Sequence, residues 1–235
     1  MQKMWYNCAN GGRKENMLKV VVYDDGYGGE LFADQLEAEL PVLEVIRVID
    51  WRNSKILQSN PRRARKIAEA ALRPYIGKVD LIIFANYLVA LTSLKYFVKK
   101  YENQTFLGLH LTSPSSISKK EILILGTKTF SRLWSFRNYT FRLQAHITTA
   151  CLDGWPAAID DGELSIDDIR ERIGHYSKLS SLPEGLIMTC SNFHHIKPEL
   201  RAIFGRNIKI YDDFKVLIQQ VSKTLKIRGY YSKQK

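Results

Sequence analysis

The sequence predicts an α/β fold made of two successive halves, each built around a mainly parallel sheet. Short β-rich apolar runs alternate with helical patterns along nearly the whole chain. Most of these runs are continuously apolar rather than alternating, which is typical of strands covered by helices on both faces. The segment 111–120, LTSPSSISKK, is polar, contains a proline and four serines, and divides the chain near its middle. We therefore expect one strand–helix array before this segment and another after it.

Eight runs are predicted to be strands because they are short and rich in β-branched and other apolar residues. They span 19–23, 43–49, 81–85, 106–111, 122–125, 147–150, 186–189 and 208–211. Strands that alternate with helices in this way pair in parallel through right-handed crossovers, so an open sheet is expected in each half.

The helices predicted between these strands carry recognisable start signals. Asn60 can cap a helix whose first residue is the following proline, a residue favoured at that position. Ser165, with Asp168 three residues later, forms a variant of the capping box. Helical periodicity also covers 87–101 and 130–143.

The composition is that of a globular protein of 235 residues. No apolar run is long enough to cross a bilayer, and residues 1–17, which are polar and Gly/Asn-rich, are interpreted as an extra tail. Met17 could equally be the natural start, because the first strand pattern follows it at once. Three widely spaced cysteines without a CxxC motif argue against a disulfide framework or a zinc knuckle, and they favour the cytoplasm.

The net charge of +11 raises the question of a nucleic-acid partner. The basic residues are spread over several clusters, however, and no RNA- or DNA-binding motif accompanies them. We therefore expect a solvated basic surface, with neither nucleic acid nor a membrane as partner. An anionic substrate or an acidic partner would also suit such a surface.

Polar side chains collect directly after the predicted strands. In open α/β sheets, ligands bind beyond the carboxyl ends of the strands, which makes these side chains candidates for a site. They are Asp24, Asp25, Asn86, Thr127, Thr129, Cys190, Ser191, Asn192, Asp212 and Asp213. Carboxylates, hydroxyls, an amide and a thiol together suit a small polar substrate that carries charged groups of its own.

The loop DDGYGG at 24–29 has the glycines of a phosphate cradle, but it matches neither GxGxxG nor the P-loop. Its two acidic residues would also repel a phosphate. A tight glycine turn and a role in substrate binding both stay open for this loop. Since the sequence has no metal-ligand cluster either, we expect no nicotinamide, flavin, pyridoxal phosphate or metal cofactor.

Six segments, taken in order, resemble the glutamate racemases of the aspartate/glutamate racemase superfamily. The DDGYGG loop is similar to their Asp-Ser-Gly-x-Gly-Gly loop, and FANY at 84–87 falls where they have Ala-Cys-Asn-Thr. TCSNF at 189–193 falls where they have Gly-Cys-Thr-His-Phe. The others are TKT at 127–129, ACL with WP and DDG over 150–162, and YDD at 211–213. The resemblance implies two flavodoxin-like lobes with mainly parallel sheets, facing each other across a cleft.

The resemblance also implies a division into domains and an activity. The first lobe would be discontinuous and comprise 18–111 plus 208–235, while 112–207 would form the second lobe. The family interconverts L- and D-glutamate without a cofactor, by removing and returning the α-proton, and supplies D-glutamate for peptidoglycan. The chain would then act on a small amino-acid or carboxylate substrate in the cytoplasm, and a homodimer stays open.

The chain departs from the family at the first of its two catalytic cysteines, where it has Ala85. The second is retained as Cys190, which we expect to be catalytic, with Asp24 acting on the opposite face of the substrate. Because a predicted helix follows Cys190, we expect the helix N-terminus to lower the pKa of its thiol. The residues expected to bind substrate are Asp25, Asn86, Thr127, Thr129, Ser191 and Asn192.

Two further interpretations stay open. A decarboxylase- or isomerase-like relative could work with one cysteine, because loss of CO₂ from the substrate removes the need for a first base. A non-catalytic descendant would bind a ligand or a protein, and Cys190 would then be only a small buried residue at a strand end. Tyr87, which stands where the family has a threonine, would crowd the pocket.

Overall fold

The structure is a computed structural model that describes residues 17–178 and 182–227. The predicted tail, residues 1–17, lies outside the described residues except for Met17. No helix in the described part of the chain is long and apolar enough to cross a membrane.

The first lobe is built on a parallel sheet with the strand order β2-β1-β3-β4 in the described part of the chain. Its strands are β1 (Leu18–Asp24), β2 (Leu43–Ile49), β3 (Leu81–Phe84) and β4 (Phe106–Gly108). Its helices are α1 (Tyr27–Glu39), α2 (Ser54–Ser59), α3 (Pro61–Leu72) and α4 (Tyr87–Lys100). A short 3-10 helix, Trp51–Asn53, precedes α2.

The second lobe repeats the same arrangement as β6-β5-β7-β8, again with parallel neighbours. Its strands are β5 (Glu121–Gly126), β6 (His146–Cys151), β7 (Gly185–Met188) and β8 (Lys209–Tyr211). Its helices are α5 (Lys128–Ser131), α6 (Trp134–Arg142), α7 (Trp155–Asp160), α8 (Ile166–Gly174) and α9 (Lys197–Phe204). Short 3-10 helices lie at Pro114–Ser116, His175–Lys178 and Ser191–Ile196, and α10 (Asp213–Thr224) is the last helix of the described chain.

The α/β class and the parallel sheets expected from the sequence are confirmed. Both predicted caps are present as well. The Asn60 side chain accepts a hydrogen bond from the Arg63 N–H, and Ser165 forms a reciprocal capping box with Asp168. The helix predicted over 130–143 is instead two helices, α5 and α6, separated by two residues.

The last strand does not return to the first lobe as expected. β8 is hydrogen-bonded to β7 and therefore completes the second sheet, so assigning 208–211 to the first lobe was wrong. The helix that follows does return, because Phe214 of α10 packs its ring against Phe32 of α1. The crossing back thus occurs after Tyr211, and the remaining division into domains stays a prediction.

The core explains why the strands form. Val20, Val21 and Val22 of β1 are fully buried, as continuous apolar runs in parallel sheets should be. One apolar cluster contains Val20 and Phe32 from the first lobe together with Ile122 and Ile187 from the second. The two lobes therefore share packing and hold the carboxyl ends of their strands in a defined relation.

Candidate active site

The strand ends of both sheets meet at one small cavity of about 40 Å³, enough for roughly three ordered waters. The first lobe contributes Asp25, Asn86 and Tyr87 to its lining. The second lobe contributes hydroxyl, amide and thiol side chains, namely Thr127, Thr189, Cys190, Ser191 and Asn192. The structure therefore brings together most of the residues singled out after the predicted strands.

A pair of buried carboxyls closes the cavity on the side of the first lobe. Asp24 is fully buried and Asp25 nearly so. The Asp25 N–H donates to Asp24 Oδ1 over 2.8 Å, and Asn86 Nδ2 donates to Oδ1 of both carboxyls. The Oδ2 atoms of both aspartates are buried without a hydrogen-bond donor among the described residues. Asp25 lines the cavity, whereas Asp24 lies behind it and does not.

Burial governs the protonation of this pair. It raises the pKa of Asp25 well above its ordinary value, and the neighbouring Asp24 carboxylate raises it further. Burial also raises the pKa of Asp24, although the hydrogen bonds that this carboxylate accepts oppose the shift. Two carboxyls in contact in an apolar environment cannot both ionise easily, so the pair retains a proton.

Cys190 lines the cavity from the second lobe and occupies the residue before the 3-10 helix Ser191–Ile196, without a capping hydrogen bond from its side chain. Burial raises the pKa of its thiol well above the ordinary value, and the carboxylates of Asp25, Asp24 and Asp160 raise it further. The hydrogen bond from the Asn192 N–H lowers the pKa of the thiol, but the effect of burial is larger. The expectation of a lowered thiol pKa was therefore wrong, because a helix N-terminus does not offset the loss of solvent here.

Helix caps position two of the polar side chains. The Asn86 side chain accepts a hydrogen bond from the Val89 N–H over 2.9 Å at the start of α4. Thr127 accepts one from the Phe130 N–H at the start of α5. Each side chain is thus held at a strand end by the helix that follows it. Thr129, also expected to bind substrate, does not line the cavity.

Asn192 lines the cavity but also ties the two lobes together. Its Oδ1 accepts a hydrogen bond from the Gly28 N–H over 3.0 Å, and its Nδ2 donates to Asp160 Oδ1 over 2.9 Å. Asp160 in turn accepts one from the Tyr27 N–H over 2.8 Å. Burial raises the pKa of Asp160 to about 6. The amide expected to contact substrate therefore has its oxygen engaged by the first lobe.

Ser191 lies against the backbone of α1. A Cβ added to Gly28 would stand 2.4 Å from both Cβ and Oγ of Ser191, which is closer than non-bonded atoms approach. The second glycine of the DDGYGG loop is therefore required by the contact between the lobes. This favours a packing role over a phosphate cradle for the glycines of that loop.

Ala85 is fully buried in the core and does not line the cavity. The Ala85 N–H donates to the Tyr23 carbonyl, and the Thr189 N–H donates to the Leu125 carbonyl at the matching place in the second sheet. By this internal register, Ala85 corresponds to Thr189, and the next residue, Asn86, corresponds to Cys190. That Ala85 stands in for the family's first cysteine stays a prediction.

A buried network that the sequence did not predict adjoins the cavity. The Tyr87 hydroxyl donates to Asp213 Oδ2 over 2.9 Å, and Thr112 Oγ1 donates to Oδ1 of the same carboxyl. Burial raises the pKa of Asp213 to about 7. Asp213 follows a predicted strand, but nothing in the sequence indicates that its carboxyl meets Tyr87.

Comparison with known proteins supports the fold. Neither a family model nor a curated protein sequence matches the chain. Among solved structures, glutamate racemase of Escherichia coli, bound to L-glutamate and the activator UDP-MurNAc-Ala, superposes with a TM-score of 0.79 at 15% identity, covering 90% of this chain and 83% of that one. The chain has the fold of the glutamate racemases.

Related racemases share this fold more distantly. Aspartate racemase of Picrophilus torridus matches with a TM-score of 0.61 at 12% identity, covering 89% of this chain and 94% of that one. Allantoin racemase of Pseudomonas fluorescens matches with a TM-score of 0.59 at 13% identity, covering 91% and 96%. At these identities the racemase fold is shared, and the chemistry has to be argued from the cavity itself.

Proposed function

We propose that this chain is a cofactor-independent racemase or epimerase that removes and returns the α-proton of a small amino or carboxylic acid. The observation that carries the proposal is that one proton-holding group from each lobe lines the same cavity. The Asp25 carboxyl comes from the first lobe, and the Cys190 thiol comes from the second. Inversion at carbon needs a base on one face and an acid on the other, and groups on opposing lobes suit that requirement.

In the proposed reaction, the carboxylate form of the Asp24–Asp25 pair takes the α-proton. The C–H bond breaks, and its electron pair moves into the adjacent carbonyl to give an enolate. The thiol of Cys190 then delivers its proton to the opposite face of the carbon, which leaves a thiolate and a protonated carboxyl pair. The next turnover runs from the other enantiomer, or proton exchange with water resets both groups. The Thr127 hydroxyl supplies a hydrogen-bond donor beside the developing enolate, while Asn86 holds the carboxyl pair in place.

This assignment modifies the expectation drawn from the sequence. Asp24 was expected to act directly on the substrate, whereas Asp25 is the member of the pair that lines the cavity. We therefore assign the proton transfer to Asp25. The pair shares one proton, and Asp25 acts as the base when that proton lies on Asp24. The raised thiol pKa suits Cys190 as the proton donor in the resting protein.

The identity of the substrate is the finer part of the proposal. Glutamate, aspartate and allantoin, named for the structural neighbours, share a C–H bond between a nitrogen and a carbonyl group. Interconversion of L- and D-glutamate, and with it supply of a peptidoglycan precursor in the cytoplasm, follows from the resemblance and provides the first compounds to test. A one-cysteine decarboxylase remains the second candidate, favoured by the presence of a single thiol at the cavity.

Hydrogen exchange in deuterated water tests the proposal. We expect the α-proton signal of a substrate amino acid to disappear, with deuterium entering both enantiomers. Cys190→Ser should slow this exchange by about a hundredfold or more, as is typical for loss of a general acid. The matched control is Cys151→Ser, because Cys151 is exposed and lies outside the cavity. Exchange that survives Cys190→Ser unchanged would refute the assignment, while CO₂ release without exchange would favour the decarboxylase.

A further inference from the structure

We infer that the cavity selects substrates without net negative charge, such as zwitterionic amino acids with small uncharged side chains or their amides, and rejects dicarboxylates. The inference rests on the proposed function and names the substrate class of the same site. It follows from the charges that line and surround the cavity, from the apolar part of its wall and from its size.

The described lining of the cavity includes an acidic side chain but no basic one. Asp25 lines it directly, and Asp24 lies immediately behind, bonded through the same Asn86 amide. Among the described residues, no lysine, arginine or histidine lines the cavity. The chain carries a net charge of +11, so this absence is a local property rather than a consequence of composition.

The basic residues nearest to the site in the chain do not line the cavity. Lys128, which follows Thr127, is exposed to solvent, and two residues near Cys190 are engaged elsewhere. Lys197, which follows the 3-10 helix of Cys190, forms an ion pair with Asp212 over 2.6 Å. His194 is buried with its ring stacked on Phe214, and burial lowers its pKa well below the ordinary value, so it is uncharged. Neither group neutralises a carboxylate that enters the cavity.

The pKa of the Cys190 thiol indicates that the electrostatic potential around it is negative. The carboxylates of Asp25, Asp24 and Asp160 all act on Cys190 in the direction that opposes a negative charge there. A substrate carboxylate placed beside the thiol would meet the same opposition. One carboxylate can still accept a hydrogen bond from the Thr127 hydroxyl, which lines the cavity.

A second carboxylate would have no such partner. The other polar groups of the lining already donate elsewhere: the Tyr87 hydroxyl to Asp213, and the Thr189 hydroxyl to the Leu125 carbonyl. The Asn192 amide donates to the Pro156 carbonyl and to Asp160. The rest of the wall is apolar and consists of Leu57, Leu88, Phe130 and Pro156. Burying an ion against these side chains, without a counter-ion, is strongly unfavourable. A cavity of about 40 Å³ also leaves no room for the water that would solvate a longer acidic side chain.

Alkylation of the thiol tests this inference without requiring turnover. Iodoacetamide and iodoacetate have similar size and differ in charge, and peptide mapping by mass spectrometry gives their rates at each cysteine. We expect the ratio of iodoacetamide to iodoacetate labelling at Cys190 in the folded protein to exceed its ratio in the urea-unfolded chain by roughly tenfold, as repulsion between close charges predicts. Cys151, which is exposed, should show little change in this ratio on folding.

Asparagine variants locate the charge responsible. The double variant Asp24→Asn/Asp25→Asn removes the single negative charge of the pair and should bring the Cys190 ratio towards that of the unfolded chain. Asp161→Asn, at an exposed carboxylate next to the site, should leave the ratio unchanged. Equal labelling by both reagents at folded Cys190 would overturn the inference. So would a failure of iodoacetamide to label folded Cys190 as the pH is raised towards the pKa of its thiol, because a cavity closed to this small neutral reagent is not a substrate site.

A substrate panel separates this inference from the proposed function. We expect deuterium exchange into alanine, serine or alanine amide to be at least about tenfold faster than into glutamate or aspartate. Exchange into none of them, together with a high alkylation ratio, would remove the proposed function and leave the charge selection intact. Rapid exchange into glutamate would support the function and overturn the inference.

Discussion

The two lobes share one strand order but bring different chemistry to the cavity. At the ends of β1 and β3, the first lobe places two carboxyls and an amide. At the equivalent ends of β5 and β7, the second lobe places hydroxyls and a thiol. The repeated topology therefore determines where side chains project, while the sequence at each strand end determines what they can do. The enzyme we propose needs both lobes, because neither half carries two proton-transfer groups facing each other.

The largest expected effect is on stability and concerns Asp213, whose carboxyl lies where the chain connects the two lobes. Burial raises the pKa of Asp213 from 3.8 to about 7, so its contribution to stability is full below about pH 4 and is lost as the pH rises through 7. This shift corresponds to a loss of up to about 4 kcal/mol in the free energy of unfolding between pH 4 and pH 8. Asp213→Asn should remove that pH dependence, as urea denaturation at both pH values would measure.

The control for this prediction is Asp167→Asn, which changes a carboxylate that is almost fully exposed. It should leave the pH dependence of stability as it is in the wild type. An Asp213→Asn variant that loses stability equally at both pH values would show that the carboxyl acts through its hydrogen bonds to Tyr87 and Thr112 rather than through its burial.

The next largest effect on stability is expected at Gly28, where the two lobes are in close contact. Gly28→Ala should lower the free energy of unfolding by about 3 kcal/mol, because the new Cβ overlaps Ser191 and cannot relax without moving backbone. Thermal denaturation would measure this change. Gly174→Ala is the matched control, since a Cβ there meets nothing within 4 Å, and it should be neutral or slightly stabilising. Equal melting temperatures for both variants would show that the lobes are not locked at this point.

Replacing Thr127 and Thr129 in turn tests which of these two side chains contributes to α-proton exchange. Thr127→Ala should slow α-proton exchange by roughly tenfold, because it removes a hydroxyl from the lining and a cap from α5. Thr129→Ala, two residues away and outside the lining, should change the rate by less than about twofold. A reversed order would mean that the lobes approach each other differently when substrate is bound.

The smallest effect is expected at Ala85. A thiol placed there by Ala85→Cys should leave the exchange rate within about twofold of the wild type, because the position is buried in the core rather than open to the cavity. Ala90→Cys, at another buried alanine, controls for the added volume. A rise in rate of tenfold or more in Ala85→Cys alone would show that its side chain reaches the substrate, as the family resemblance predicts.

Much of the fold could be predicted because the signals are local. Continuous apolar runs indicated the buried parallel strands, and Asn60 and Ser165 indicated helix starts that the structure contains. The pairing of β8 with β7 could not be predicted, because a three-residue strand carries no information about which sheet edge it completes. The family pattern directed that strand to the wrong lobe.

From the sequence, the cavity could be predicted only as a group of polar residues that directly follow strands. Position after a strand indicated Asn86 and Cys190 correctly as lining residues, but it could not distinguish Asp24 from Asp25, since alternate residues face opposite ways. The raised pKa of the Cys190 thiol depends on burial by distant segments, which no local motif records. Likewise, the oxygen of Asn192 is taken by Gly28, a contact across 164 residues.

The return of α10 to the first lobe has a mechanical consequence. The chain passes between the lobes twice, once in 109–120 and once just after β8, and Thr112 on the first passage is hydrogen-bonded to Asp213 on the second. The two connections thus lie side by side and are linked to each other by this hydrogen bond. After a single proteolytic cut in 109–120, α10 on the second fragment would still pack against α1 of the first, and the nicked protein should still sediment as one particle.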